Sequence, residues 1–97
     1  MELAPPSFDP AVDSLEDFLR SLLRRHSRIG IVTIKDEDRV TTDCGLDSLA
    51  LLETVLDLED ALGVTVPQDR MPALLELNFG QFAAFVRGRL EAKAVSS

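Results

Sequence analysis

The 97-residue sequence has no tryptophan, no tyrosine, one cysteine and one histidine. A single cysteine, Cys44, excludes an internal disulfide and fits a reducing compartment. Five phenylalanines are the whole aromatic complement, so the core has to be built from Leu, Val and Ile. No stretch approaches the ~20 apolar residues of a membrane-spanning helix. Residues 1–8 lack the cationic segment and apolar run of a secretory signal; a cytoplasmic location is the expectation. Cations are scarce as well. Ten Lys and Arg stand against seventeen Asp and Glu, a net charge of −7. That balance argues against nucleic acid and anionic membrane as main partners, since both demand a cationic surface. It favours partners that present basic patches.

What is present is an ordinary apolar share of 45%, enough for one small domain with a single core. Residues 1–8, with Pro5-Pro6, read as a flexible arm. Asp9-Pro10 reads as a helix start, with Asp as N-cap and Pro where its missing N–H costs nothing. Val12, Leu15, Leu19, Leu22 and His26, joined by Phe18 and Leu23, recur at three- and four-residue steps. They predict an amphipathic helix over about 10–27. Arg20, Arg24, Arg25 and Arg28 suit the negative end of its dipole. Residues 30–45 lack helical period and read as a long surface loop, pinned to the helices by Ile29, Ile31, Val32, Ile34 and Val40. A short strand over 31–34 is the alternative, with no evident partner.

A second helix is predicted over 48–62, stopping at Gly63. Residues 64–67 are extended, as the position before Pro67 prefers. Residues 72–77 form one or two helical turns. Asn78 then caps a last helix over about 79–91, with Phe82, Phe85, Val86 and Leu90 inside, and residues 92–97 read as a flexible tail. The expected fold is all-α: a four-helix bundle with three main helices, one short helix and a long first loop, occupying residues 9–91.

At ~100° per residue, Leu51, Val55, Leu58 and Leu62 share one narrow stripe of the second helix. Leu49, Leu52 and Leu56 form another, displaced by roughly 120–130°. The first is enough to face the core of a small bundle. A helix packed between two others would bury both. The acidic neighbours Glu53, Glu59 and Asp60, together with the adjacent Ser48, favour an apolar docking strip for a basic partner.

Ser48 opens that helix in the run Gly45-Leu46-Asp47-Ser48-Leu49. An activated serine needs a base within hydrogen-bond reach, itself held by a third group. The lone His26 and the absence of a Gly-x-Ser-x-Gly elbow argue against self-contained hydrolase chemistry. For the bare tripeptide Asp47-Ser48-Leu49, helix capping is the simpler explanation. Asp36-Glu37-Asp38 begins like a calcium loop, but Val40 and Thr41 stand where a further oxygen ligand and the glycine are expected. Cys44 and His26 lack metal-ligand spacing.

The longer pattern of Gly45-Leu46-Asp47-Ser48-Leu49, Glu53, Leu58-Glu59-Asp60, Leu62-Gly63-Val64 and Val66-Pro67 resembles the acyl carrier protein family. The likeness runs from about residue 40 to 67, and more loosely to the first helix and to Asn78-Phe79-Gly80-Gln81-Phe82. It implies that Ser48 receives 4′-phosphopantetheine from coenzyme A through a phosphopantetheinyl transferase. The arm's thiol then carries an acyl or aminoacyl thioester between enzymes. Asp47, Leu49, Leu52, Glu53, Leu56, Glu59 and Asp60 match the family's partner-facing positions. Implied partners are the transferase, acyl- or aminoacyl-loading enzymes, ketosynthases and acyltransferases, with the chain itself a non-catalytic monomer. Asp47, where peptidyl carriers have glycine or histidine, favours acyl cargo. An aminoacyl or peptidyl carrier, or an unmodified interaction module of the same fold, is the alternative. Cys44 stands where leucine is frequent, Ala50 where some members have a carboxylate, and Thr54 and Asp57 where apolar residues are common. The cargo is expected to be a polyketide, malonyl-type or fatty acyl group; the Pro-rich arm and Arg-rich first helix favour natural-product over housekeeping lipid synthesis, and a free-standing carrier is expected rather than a piece of a megasynthase.

Overall fold

The computed structural model describes residues 14–30 and 33–96. Helix α1 is Leu15–His26. Ser14 caps it from an extended backbone, its hydroxyl accepting the Asp17 N–H at 3.1 Å. Glu16 and Asp17 lie in the first turn, and Arg24, Arg25 and His26 in the last, so both ends complement the dipole. The predicted start at Asp9-Pro10 lies outside the described residues. Because Ser14 has already left helical geometry (ψ 146°), the described helix opens five residues later than periodicity suggests. Leu15, Phe18, Leu19, Leu22 and Leu23 are buried, as their spacing requires.

Residues 27–47 connect α1 to the next helix without a strand among the described residues. Ile34 and Val40 are buried anchors, as expected. Ile31 and Val32 lie outside the described residues. Ile29 is a correction: it is 63% exposed and pins nothing to the core. Its neighbours hold the loop by hydrogen bonds instead, Ser27 Oγ donating to the Cys44 carbonyl and the Arg28 N–H to that of Gly45. Arg20 stitches the middle of the loop. Its Nε donates to the Ile34 carbonyl at 2.9 Å, its Nη2 reaches Asp36, and the guanidinium lies 4.5 Å from the Phe79 ring centroid.

Helix α2 is Ser48–Leu62, the predicted span, and ends on Gly63 at φ 68°, a left-handed conformation that favours glycine. A 3₁₀ turn, Gln68–Arg70, leads into α3, Met71–Leu74, with Pro72 in its first turn. Helix α4 is Phe79–Ser96 and runs past the end expected near residue 91. Its start carries a reciprocal cap: Asn78 Oδ1 accepts the Gln81 N–H and Gln81 Oε1 accepts the Asn78 N–H. Phe79, Phe82, Ala83 and Val86 enter the core, while Phe85 and Leu90 pack at its edge. The loop crosses this start, with the Phe79 N–H donating to Asp38 and the Val40 N–H to Leu77. The molecule is thus an all-α bundle of three main helices and one short one. Its single core joins the inner faces of α1, α2 and α4. None of the described helices is long and apolar enough to cross a membrane.

Candidate functional site

The start of α2 is fixed from both sides. Gly45 takes φ 73°, and its carbonyl accepts the Arg28 N–H at 2.7 Å. Leu46 inserts its side chain into the core, and its N–H donates to the Thr41 carbonyl at 3.0 Å. Asp47 then caps the helix, Oδ1 accepting the Ala50 N–H at 2.7 Å. Capping, the simpler explanation for that residue, is therefore real. The Ala50 N–H holds the Asp47 carboxyl below the usual carboxylate range, helped by the Arg28 guanidinium and only partly opposed by desolvation.

Ser48 is exposed at the first helical position. In the first turn the Ala50 N–H goes to Asp47 Oδ1 and the Leu51 N–H to the Asp47 carbonyl. Those of Ser48 and Leu49 have no partner among the described residues. A helix start of this kind attracts phosphate through its free N–H groups and the positive end of the dipole. The neighbouring Asp47 carboxylate would repel one, but Arg28 Nε lies 3.5 Å from its Oδ2 and offsets that charge. The residues present therefore fit a phosphodiester on this hydroxyl.

The lone histidine is engaged along α2 rather than paired with the serine in any bond among the described residues. His26 Nε2 is 2.6 Å from Asp57 Oδ2 and its Nδ1 is 4.0 Å from Glu53 Oε1. The one histidine is therefore clamped along the flank of α2. Cys44 is fully buried, and burial, with Asp38 and Asp43 nearby, pushes its thiol up to about 11. It behaves as a small core hydrophobe rather than a nucleophile. No cluster of three metal-ligating side chains occurs among the described residues.

The two stripes of α2 separate as their angles predict. Leu51, Val55, Leu58 and Leu62 are buried, whereas Leu49 is 57%, Leu52 39% and Leu56 54% exposed. Thr54 and Asp57, polar where an apolar residue is common, are both accommodated. Thr54 is fully buried and donates to the Ala50 carbonyl at 2.9 Å, while Asp57 holds His26. The acids beside the strip differ in their freedom. Asp60 is exposed. Glu53 lies 3.9 Å from Arg28 Nη2. Glu59 is only half-exposed, because its Oε2 accepts the Val66 N–H at 2.7 Å and so fastens the extended segment after α2. Sequence reasoning misses Arg28, His26 and Asp57 as neighbours of this face. They lie up to 31 positions apart, and only the tertiary pairing of α1 with α2 reveals them.

The profile of the phosphopantetheine attachment site matches residues 17–78. A probable acyl carrier protein of Caulobacter vibrioides (strain NA1000 / CB15N) is 33% identical over 43 residues, which are 44% of this chain and 50% of that protein. The chain thus spans about half the length of this curated relative. No solved structure matches. The profile is that of a domain to which 4′-phosphopantetheine is covalently attached, and it covers most of the chain, from the first turn of α1 to the cap of α4. Together with the four-helix fold, these matches show that the chain belongs to the acyl carrier protein family.

Proposed function

We propose that Ser48 is the attachment residue and that the chain shuttles a thioester-bound acyl group between enzymes that load and use it. The observation that carries the reading is the pairing of an exposed serine at a helix start with an exposed leucine strip that begins beside it. A hydroxyl at that place is reachable by an incoming transferase, and the adjacent free N–H groups suit a phosphate ester. When attached, the arm's thiol supplies the thioester linkage. The chain's own part is to hold its attachment point rigid and to present Leu49, Leu52 and Leu56, with Asp47, Glu53, Glu59 and Asp60 around them, to each partner in turn. Tethering keeps the cargo at high local concentration.

Acyl cargo is favoured over aminoacyl cargo by Asp47, and a natural-product pathway of polyketide type by the arginine-rich α1. A soluble cytoplasmic setting agrees with the single buried cysteine. The test is intact-mass analysis after incubation with coenzyme A and a broad-specificity phosphopantetheinyl transferase. The expected result is a gain of one phosphopantetheinyl group, absent from Ser48→Ala. A gain that persists in Ser48→Ala overturns the residue assignment, and no gain in the unaltered chain leaves the interaction-module reading in its place.

A further inference from the structure

The acidic edge of α2 is not open. His26, the last residue of α1, and Arg28, two residues beyond it, lie along it, and they are held very differently. His26 is 16% exposed and sits 2.6 Å from Asp57, a short contact in a half-sheltered place. Arg28 is 53% exposed, and its contacts are long: 3.5 Å to Asp47 Oδ2 and 3.9 Å to Glu53 Oε1, with both carboxylates about half exposed. Pairs of that kind contribute little and exchange readily with other cations. The backbone of Arg28 is nevertheless anchored, its N–H bonded to the Gly45 carbonyl at 2.7 Å. The guanidinium therefore never leaves the neighbourhood of the two acids and competes at high local concentration.

The two oxygens of Asp47 do separate jobs. Oδ1 takes the Ala50 N–H and caps α2, while Oδ2 faces Arg28. A foreign cation can take the place of Arg28 at Oδ2 without uncapping the helix that carries Ser48. Glu53, the other acid Arg28 covers, projects from the same outer side as Leu49 and Leu56 by helical arithmetic. Neither acid can be engaged fully until the guanidinium swings aside.

We propose that Arg28 is a specificity-determining residue of the docking face, an internal competitor for the cation that a partner presents to Asp47 and Glu53. The inference rests on the carrier reading above. The partner it fits places an Arg or Lys beside an apolar recess that receives Leu49 and Leu52. Every partner that engages these two acids has to displace Arg28, and those that also fill the leucine strip keep enough apolar contact to bind despite it.

The experiment compares transferase binding by Ser48→Ala carriers with and without Arg28→Ala, which isolates docking from chemistry. Each exposed pair accounts for about 1.5- to 5-fold, so losing both in Arg28→Ala is expected to tighten the dissociation constant about 2- to 25-fold at low salt. The gain shrinks as salt screens the released carboxylates. Arg28→Lys stays close to the parent, and Arg28→Gln, which keeps the aliphatic stem, repeats the effect of alanine. In carriers retaining Ser48, Arg28→Ala lowers KM by a similar factor. Equal binding shows that no competition exists and overturns the proposal. Weaker binding shows that Arg28 touches the partner directly, and overturns it too. Failure of the unaltered chain to accept the arm sinks the attachment reading instead, which keeps the two failures distinct.

Discussion

Leu56 and Leu58 are the same residue two positions apart on one helix, yet the first is 54% exposed and the second fully buried. Their difference is geometric. Leu58 turns toward the interior shared with α1 and α4, and Leu56 turns toward a side of α2 that none of the described elements covers. Composition says nothing about which is which. What the contrast teaches is that α2 does two unrelated jobs with one residue type: its inner leucines hold the domain together, and its outer ones are kept at the cost of exposing large apolar surface beside the serine.

The sharpest way to break the contrast is truncation on each face. Leu58→Ala removes a fully enclosed side chain and is expected to cost about 2–5 kcal/mol of stability, read from denaturant midpoints. Leu56→Ala is expected to fall within about 0.5 kcal/mol of the parent, yet to raise KM for the transferase and loading enzymes. Equal stability losses at both positions would mean that Leu56 is covered in solution.

Titration sharpens it next, because the interior and the exposed end of α2 respond at opposite ends of the pH scale. The Cys44 thiol, ordinarily near 9.0, is pushed up to about 11 by burial. The folded state thus favours the protonated form. The stability tied to it is whole below about pH 9 and is lost as pH rises through 11, on the order of 2 kcal/mol. Thermal melts between those values should show that extra loss, and Cys44→Ala should remove it. Asp47 is the counterpart. Its lowered pKa favours the carboxylate, so its contribution is present above its ordinary 3.8 and disappears as pH falls below that. Acid melts of the parent and of Asp47→Asn should converge in that range. This is the smallest expected effect, since Asn is itself a good cap.

Much of α2 is legible in its residues alone. Its limits, its Gly63 stop and the burial of Leu51, Val55, Leu58 and Leu62 follow from one angle per residue and one special conformation. Both are local properties. The first helix is less legible: its pattern points to a start at Asp9-Pro10, outside the described residues, whereas the described helix is capped by Ser14, which the pattern does not single out. Ile29 misleads for a related reason: its side chain lies over Gly45 instead of reaching the core, and the loop is held there through Ser27 and Arg28. At the site, Ser48 and the outer leucines are visible as pattern. The engagement of Glu59 by the Val66 backbone and of Asp57 by His26 is not, because hydrogen bonds between segments leave no mark on spacing.

The far end of α2 carries a further lesson. Lys93 Nζ donates to the Leu62 carbonyl at 3.0 Å, and Arg89 Nε donates to that of Thr65 at the same distance. Two cations from the closing turns of α4 thereby clasp the outgoing end of the helix whose other end bears the serine. A version cut before residue 89 would retain every residue of the leucine strip and still lose its buckle. A lysine some 45 positions downstream of the serine thus steadies the far end of the helix that the serine opens.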